Sequence, residues 1–147
     1  MSGATTLCHK KELDASRKPQ PFENLSYSDL AFDRADDVYT PNYELIEGDT
    51  EIAKGVRLFE TPGHTAGHYS LMVELAGRQP MLFTADAIYA AKSLELRAIS
   101  SFHVDPVASY ESMERLERLA EEHDAELFLS HDPESYGDYL KAPAHYA

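Results

Sequence analysis

One cysteine, Cys8, is all the chain holds, so no disulfide framework can form within it. Cations are scarce as well. Thirteen Lys and Arg stand against 26 Asp and Glu, a formal net charge of −13. That balance argues against a nucleic acid or an anionic membrane as partner, because both require a basic face. No apolar run approaches the length needed to span a bilayer. The segment Met1 to Lys11 lacks the apolar core of a signal peptide. A reducing, cytoplasmic setting is the expectation. No internal repeat and no low-complexity tract breaks the chain. What remains is an ordinary globular balance, 43% hydrophobic and 27% charged over 147 residues. That is one domain, large enough for a core.

The most informative stretch is Thr61-Pro62-Gly63-His64-Thr65-Ala66-Gly67-His68. Pro62-Gly63 ends an extended segment in a turn, and the glycines allow tight backbone turns. A histidine on such a turn, at the mouth of a sheet, is well placed to bind a metal. The alternative is a turn residue that hydrogen-bonds its own loop; that is the preferred reading for His68, but not for His64.

Strands are expected at Thr5–His9, Tyr43–Ile46, Glu51–Ala53 and Val56–Glu60, with a short helix at Lys10–Arg17. Residues 19–42 read as a long polar loop with one helical stretch near 26–35. Such a loop is unusual in a compact domain unless it covers something. Tyr69 to Leu75 alternates, with Tyr69, Leu71, Val73 and Leu75 on one face. A turn at Ala76–Pro80 then leads into a second strand, Met81–Ala85, that ends at Asp86. The two ends of a hairpin lie side by side. The His64 turn and the Asp86 carboxylate therefore arrive at one sheet edge. Asp105-Pro106 opens the clearest helix, with Asp as N-cap and Pro at the first helical position. Val107, Tyr110, Met113, Leu116 and Leu119 form its expected buried stripe, and Glu111–Arg115 and Glu114–Arg118 its expected i,i+4 pairs. The strand Glu126–Ser130 then delivers His131. Residues 133–140 read as a short capping helix, and the tail beyond as frayed.

Three metal-capable residues thus each follow a strand: His64, Asp86 and His131. Imidazole nitrogen with carboxylate oxygen suits a catalytic rather than a sealed structural zinc site.

The motifs Glu47-Gly48-Asp49, Gly55-Val56, Thr61 to His68, Thr84-Ala85-Asp86-Ala87 and Ser130-His131-Asp132, in this order, resemble the second half of the metallo-β-lactamase superfamily. Within it they are similar to the N-acyl homoserine lactone lactonase group. The resemblance implies a mixed α/β (α+β) fold, the C-terminal half of an αββα sandwich with its sheet flanked by helices. It implies two zinc ions in a complete site, with His64 on the first, His131 on the second and Asp86 bridging. Tyr89, three residues after Asp86, matches the group's catalytic tyrosine. There it would hydrogen-bond the oxygen that turns negative when a lactone carbonyl is attacked by a metal-bound hydroxide. Asp86 would relay the proton to the leaving alkoxide. Tyr89 can alternatively be a half-buried amphipathic residue near a helix start.

The superfamily's HxHxDH string does not occur, and no His-x-His is present anywhere. His9, His103, His123 and His145 are assigned no metal. Residues 1–147 are therefore expected to form a partial domain, lacking the ligand-rich first half. Three of seven expected ligands would hold at most one zinc ion, weakly. One sheet face, bearing either Leu71 and Val73 or Met72 and Phe83, would lack cover and seek a second copy or a separate first-half chain. Phe22 and Tyr27 are expected to contact a substrate's acyl chain. The expected activity is opening of a lactone ring, of N-acyl homoserine lactone or γ-butyrolactone type. The alternatives are a non-catalytic remnant or interaction module, and a glyoxalase-II-like thioester hydrolase. Against the last stand Tyr89 and the lack of a basic cluster for an anionic thiol conjugate.

Overall fold

The structure, a computed structural model, describes residues 5–23, 27 and 42–146. β1 (Thr5–His9) pairs in parallel with β2 (Asn42–Ile46) as a two-stranded sheet, with α1 (Lys10–Arg17) following β1 directly. A five-stranded mixed sheet runs β3 (Thr50–Ala53), β4 (Val56–Glu60), β5 (Tyr69–Val73), β6 (Met81–Phe83) and β7 (Glu126–Phe128) in spatial order. Its neighbours are antiparallel as far as β6, and β6 with β7 is parallel. Between them lie α2 (Ala91–Leu96) and the long α3 (Pro106–Glu122). This is the expected mixed sheet flanked by helices. Among the described residues no helix is long and apolar enough to cross a membrane.

Strand alternation decides which face is core. Phe59, Met72 and Leu82 share one face and pack with Met113, Leu116 and Leu119 of α3. Met113, Leu116 and Leu82 are fully buried, and each such side chain contributes roughly 2 kcal/mol by leaving water. Phe83 lies opposite Leu71, not beside Met72, because facing residues in an antiparallel pair share a side. The second face therefore carries Leu58, Leu71, Val73 and Phe83, which are half-buried, and Met81, which is buried.

α3 begins as expected. Asp105 accepts from the amides of Val107 (3.0 Å) and Ala108 (3.0 Å), with Pro106 in the first turn. Its buried stripe differs at the N-terminal end. Val107 is 68% exposed and Tyr110 38%, whereas Ser109 and Ser112 are buried. The first turns of α3 lie against a loop, not a sheet, and small polar residues fit there. The expected i,i+4 ion pairs do not form among the described residues. Arg115 instead reaches the Glu60 carbonyl and the Asp49 carboxylate.

β6 stops at Phe83, and Asp86 sits in a 3₁₀ turn, Ala85–Ala87. Residues 135–137 form a single 3₁₀ turn. The described tail is packed rather than frayed. Tyr139 stacks on Phe128 with ring centroids 4.1 Å apart, and Arg78 lies 4.3 Å over the Tyr146 ring. The helical stretch expected at 26–35 falls outside the described residues, Tyr27 excepted. Tyr27 is buried, and its hydroxyl donates to Glu12 at 2.7 Å. It braces α1. Phe22 is 67% exposed.

Candidate metal centre

The loop from Thr61 to His68 joins β4 to β5 and is clamped from two sides. Thr61 N donates to His68 O (3.0 Å), closing the loop at its base. The start of α3 presses on its tip. Asp105 N donates to Gly63 O (3.0 Å), Val104 N to His64 O (3.3 Å) and the Ser112 hydroxyl to Pro62 O (2.7 Å). Gly63 has φ +131°, and a Cβ there would overlap the backbone of Ser109. Only glycine satisfies both the angle and the contact. From the other side the Glu12 carboxylate of α1 accepts the Gly67 amide at 2.9 Å. His64 is thus carried on a loop with little freedom to move.

The Asp86 carboxylate lies between two imidazoles. Its Oδ2 is 3.3 Å from His64 Nε2, and its Oδ1 is 2.8 Å from His131 Nε2. The three residues expected to meet do meet, and each histidine addresses a different oxygen. Parallel pairing of β6 with β7 explains the convergence, since parallel strands deliver their following turns to the same edge. His131 N also donates to Tyr89 O at 3.1 Å, tying the two turns together.

Tyr89 stands at this rim. Its hydroxyl is 3.4 Å from His64 Nδ1, and its ring lies 4.7 Å from His131, edge to face. Burial, helped by the Asp86 charge, pushes its phenol above the usual value. The hydroxyl therefore stays protonated at neutral pH, able to donate.

His68 and His103 form a layer behind these residues. His68 Nδ1 lies 2.8 Å from Thr61 Oγ1 and 3.1 Å from Thr61 O, while its Nε2 accepts from Asp86 N at 3.2 Å. Burial pushes its pKa down to about 4. The preference for a loop-bonding role at His68 is met, and the loop it bonds is the one that holds the site. His103 stacks edge-on to His64 at 5.1 Å and to Tyr89 at 5.7 Å, and its Nδ1 meets Ser109 Oγ at 2.7 Å. Burial lowers its pKa too. Sequence reasoning placed His103 nowhere. The one available signal was its position two residues before the Asp105 cap, since the start of a helix is also where α3 docks. His9, expected as a plain strand end, caps α1 by accepting from Lys11 N (2.9 Å) and pairs with Glu60 (2.6 Å).

A family model described as the metallo-beta-lactamase superfamily matches residues 2–131. The chain belongs to this superfamily. Similar superfamily proteins include the N-acyl homoserine lactonase AttM of Rhizobium radiobacter, 40% identical over 87 residues, which is 59% of this chain and 33% of AttM. The N-acyl homoserine lactonase AiiA of Bacillus thuringiensis subsp. kurstaki is 37% identical over 93 residues, 63% of this chain and 37% of AiiA. A solved N-acyl homoserine lactone hydrolase, with its product N-hexanoyl-L-homoserine at the catalytic metal center, superposes with a TM-score of 0.79 at 26% identity. That match covers 98% of this chain and 53% of the other. The matches therefore span about a third of those relatives' own sequences and about half of the solved structure.

The donor set fits the superfamily's metal in a particular way. Among the described residues no three His, Cys, Asp or Glu side chains form a ready cage for one ion. One carboxylate with an imidazole at each oxygen suits a bridge between two ions, one nitrogen to each.

Proposed function

We propose that this chain carries one side of a dinuclear zinc centre that opens lactone rings of the N-acyl homoserine lactone or γ-butyrolactone type. The observation that carries the reading is the Asp86 carboxylate, held between His64 and His131 with the Tyr89 hydroxyl beside it. In a completed centre His64, His131 and the Asp86 carboxylate between them would serve as metal ligands. Zinc, when bound, supplies Lewis acidity toward the carbonyl and a lowered pKa for water. The chain's own residues do the rest. Tyr89 donates its phenol proton as a hydrogen bond to the carbonyl oxygen that gains charge. Asp86 takes a proton on a carboxylate oxygen and returns it to the ring oxygen as the ring opens. The similarity to AttM and AiiA supports the lactone substrate.

With three donors and no His-x-His in the sequence, this chain alone binds zinc weakly and turns over slowly. A second copy would cover the half-buried face of Leu71, Val73 and Phe83, and a separate chain carrying the remaining ligands would also complete the centre. The same shortage of donors favours a second reading, a metal-binding module without turnover. Zinc titration against a competing chelator, paired with an N-hexanoyl-homoserine lactone assay, tests the proposal. Binding that is weakened alike in His64→Ala, Asp86→Asn and His131→Ala, with ring opening lost in parallel, is the expected result. Binding without ring opening favours the module. No zinc binding, or hydrolysis of a glutathione thioester in place of the lactone, overturns the proposal.

A further inference from the structure

Asp86 occupies an awkward place. Ala85, just before it, has φ +47°, a left-handed conformation that a non-glycine residue adopts at a cost of about 1 kcal/mol. A backbone bent that way persists only where its surroundings hold it. Two hydrogen bonds do so here. The Ser130 hydroxyl donates to Ala85 O at 2.9 Å, and Asp86 N donates to His68 Nε2 at 3.2 Å.

The second bond dictates the state of the imidazole. A backbone amide can only donate, so His68 Nε2 must carry its lone pair. The ring proton then lies on Nδ1, facing Thr61 O and Thr61 Oγ1. Thr61 is in turn fixed. Its Oγ1 lies 2.9 Å from Ser70 Oγ, which donates to Thr84 O at 3.1 Å. Thr61, Ser70 and Thr84 are all wholly buried. A polar ladder across the ends of β4, β5 and β6 thus terminates on the amide of Asp86.

The geometry points to His68 as a positioning residue: a neutral, Nδ1-protonated imidazole that grips the Asp86 amide and sets the direction in which the shared carboxylate projects. The inference rests on Asp86 as the metal-bridging residue. A phosphate- or substrate-binding role for His68 has no support, because both ring nitrogens are occupied within the fold.

The decisive measurements use the full chain. Long-range proton–nitrogen correlation on the metal-free wild type should show His68 protonated at Nδ1 and bare at Nε2. The opposite tautomer overturns the inference and needs no variant to fold. Zinc affinity by chelator competition is then compared in three variants. His68→Phe keeps the bulk and removes the acceptor, and should bind about tenfold or more weakly, the usual effect of removing a residue that orients a ligand. His68→Gln places an amide oxygen near the Nε2 position and should recover most of the loss. Equal weakening in both, at equal melting temperature, means that His68 is packing alone and sinks the inference. Asp86→Asn separates the two readings. If it leaves zinc affinity unchanged, the metal centre fails, whatever the His68 tautomer.

Discussion

Tyr89 touches or neighbours three imidazoles, those of His64, His103 and His131. Its spacing from Asp86 marked it in the sequence, but nothing in spacing described those neighbours. They matter for its chemistry. A phenol kept protonated beside a carboxylate is a donor, not a base. If the proposed lactone opening holds, Tyr89→Phe is expected to lower its kcat by about a hundredfold, with KM little changed, because the proposed bond forms in the transition state. A steady-state comparison of the two proteins checks it, and a KM effect alone would assign Tyr89 to substrate binding. His64, Asp86 and His131 were legible because each follows an apolar strand. His103 was not, because its contacts come from the docking of α3 and leave no periodic trace. Tyr27 shows a contact of another kind that spacing does not announce. An aromatic in a polar stretch reads as a substrate contact, yet its hydroxyl is spent on Glu12.

Among the elements, α3 separates what local rules announce from what tertiary contact decides. Its cap was plain in Asp105-Pro106, and the cap geometry is the expected one. Removing it with Asp105→Ala should cost about 1 kcal/mol, read as a lower urea midpoint with an unchanged slope. Its buried face was legible only from Met113 onward. Ahead of that point, Ser109 and Ser112 replace Val107 and Tyr110 in the interior, because the partner there is the loop of Pro62 and Gly63. A helical-period pattern cannot anticipate a loop as partner. Gly63→Ala tests this contact directly. It meets both a forbidden φ and the backbone of Ser109, so it should destabilise the fold by more than the 1 kcal/mol typical of a point change. It should also weaken the proposed zinc binding, since the same loop carries His64. A thermal melt unchanged from wild type would show that α3 moves freely off the loop.

Across the whole molecule, Glu60 joins the two sheets. Its carboxylate accepts the Gly48 amide at 2.6 Å and lies 2.6 Å from His9 Nε2. The Gly48 bond, opposed by burial and aided by His9, holds Glu60 below the usual carboxylate value. A group whose pKa is depressed on folding stabilises the fold above its unfolded value and loses that contribution as pH falls through the folded one. Stability should therefore decline below about pH 4.5, the ordinary value of this carboxyl. Glu60→Gln should show a flatter decline over the same range, in denaturant titrations at stepped pH. The second sheet face gives a further expectation. Leu71, Val73 and Phe83 are half-buried side by side, so the chain should sediment as a dimer or larger, and Leu71→Glu should return it towards 16.5 kDa. A wild-type monomer would remove the partner proposed for that face. The mixed sheet was legible from strand alternation and turn residues. Which face α3 would take was not, because alternation fixes two faces without ranking them.

The parallel pairing of Met81, Leu82 and Phe83 with Glu126, Leu127 and Phe128 works as a ruler. The gap between the Asp86 carboxylate and the His131 imidazole is set by register across two three-residue strands, and the length of intervening polypeptide does not enter into it. A graft of these two strands with their trailing turns should carry the pair into another scaffold intact. Deleting one residue from either strand should turn its donor to the opposite side of the sheet, however faithfully every remaining side chain is kept.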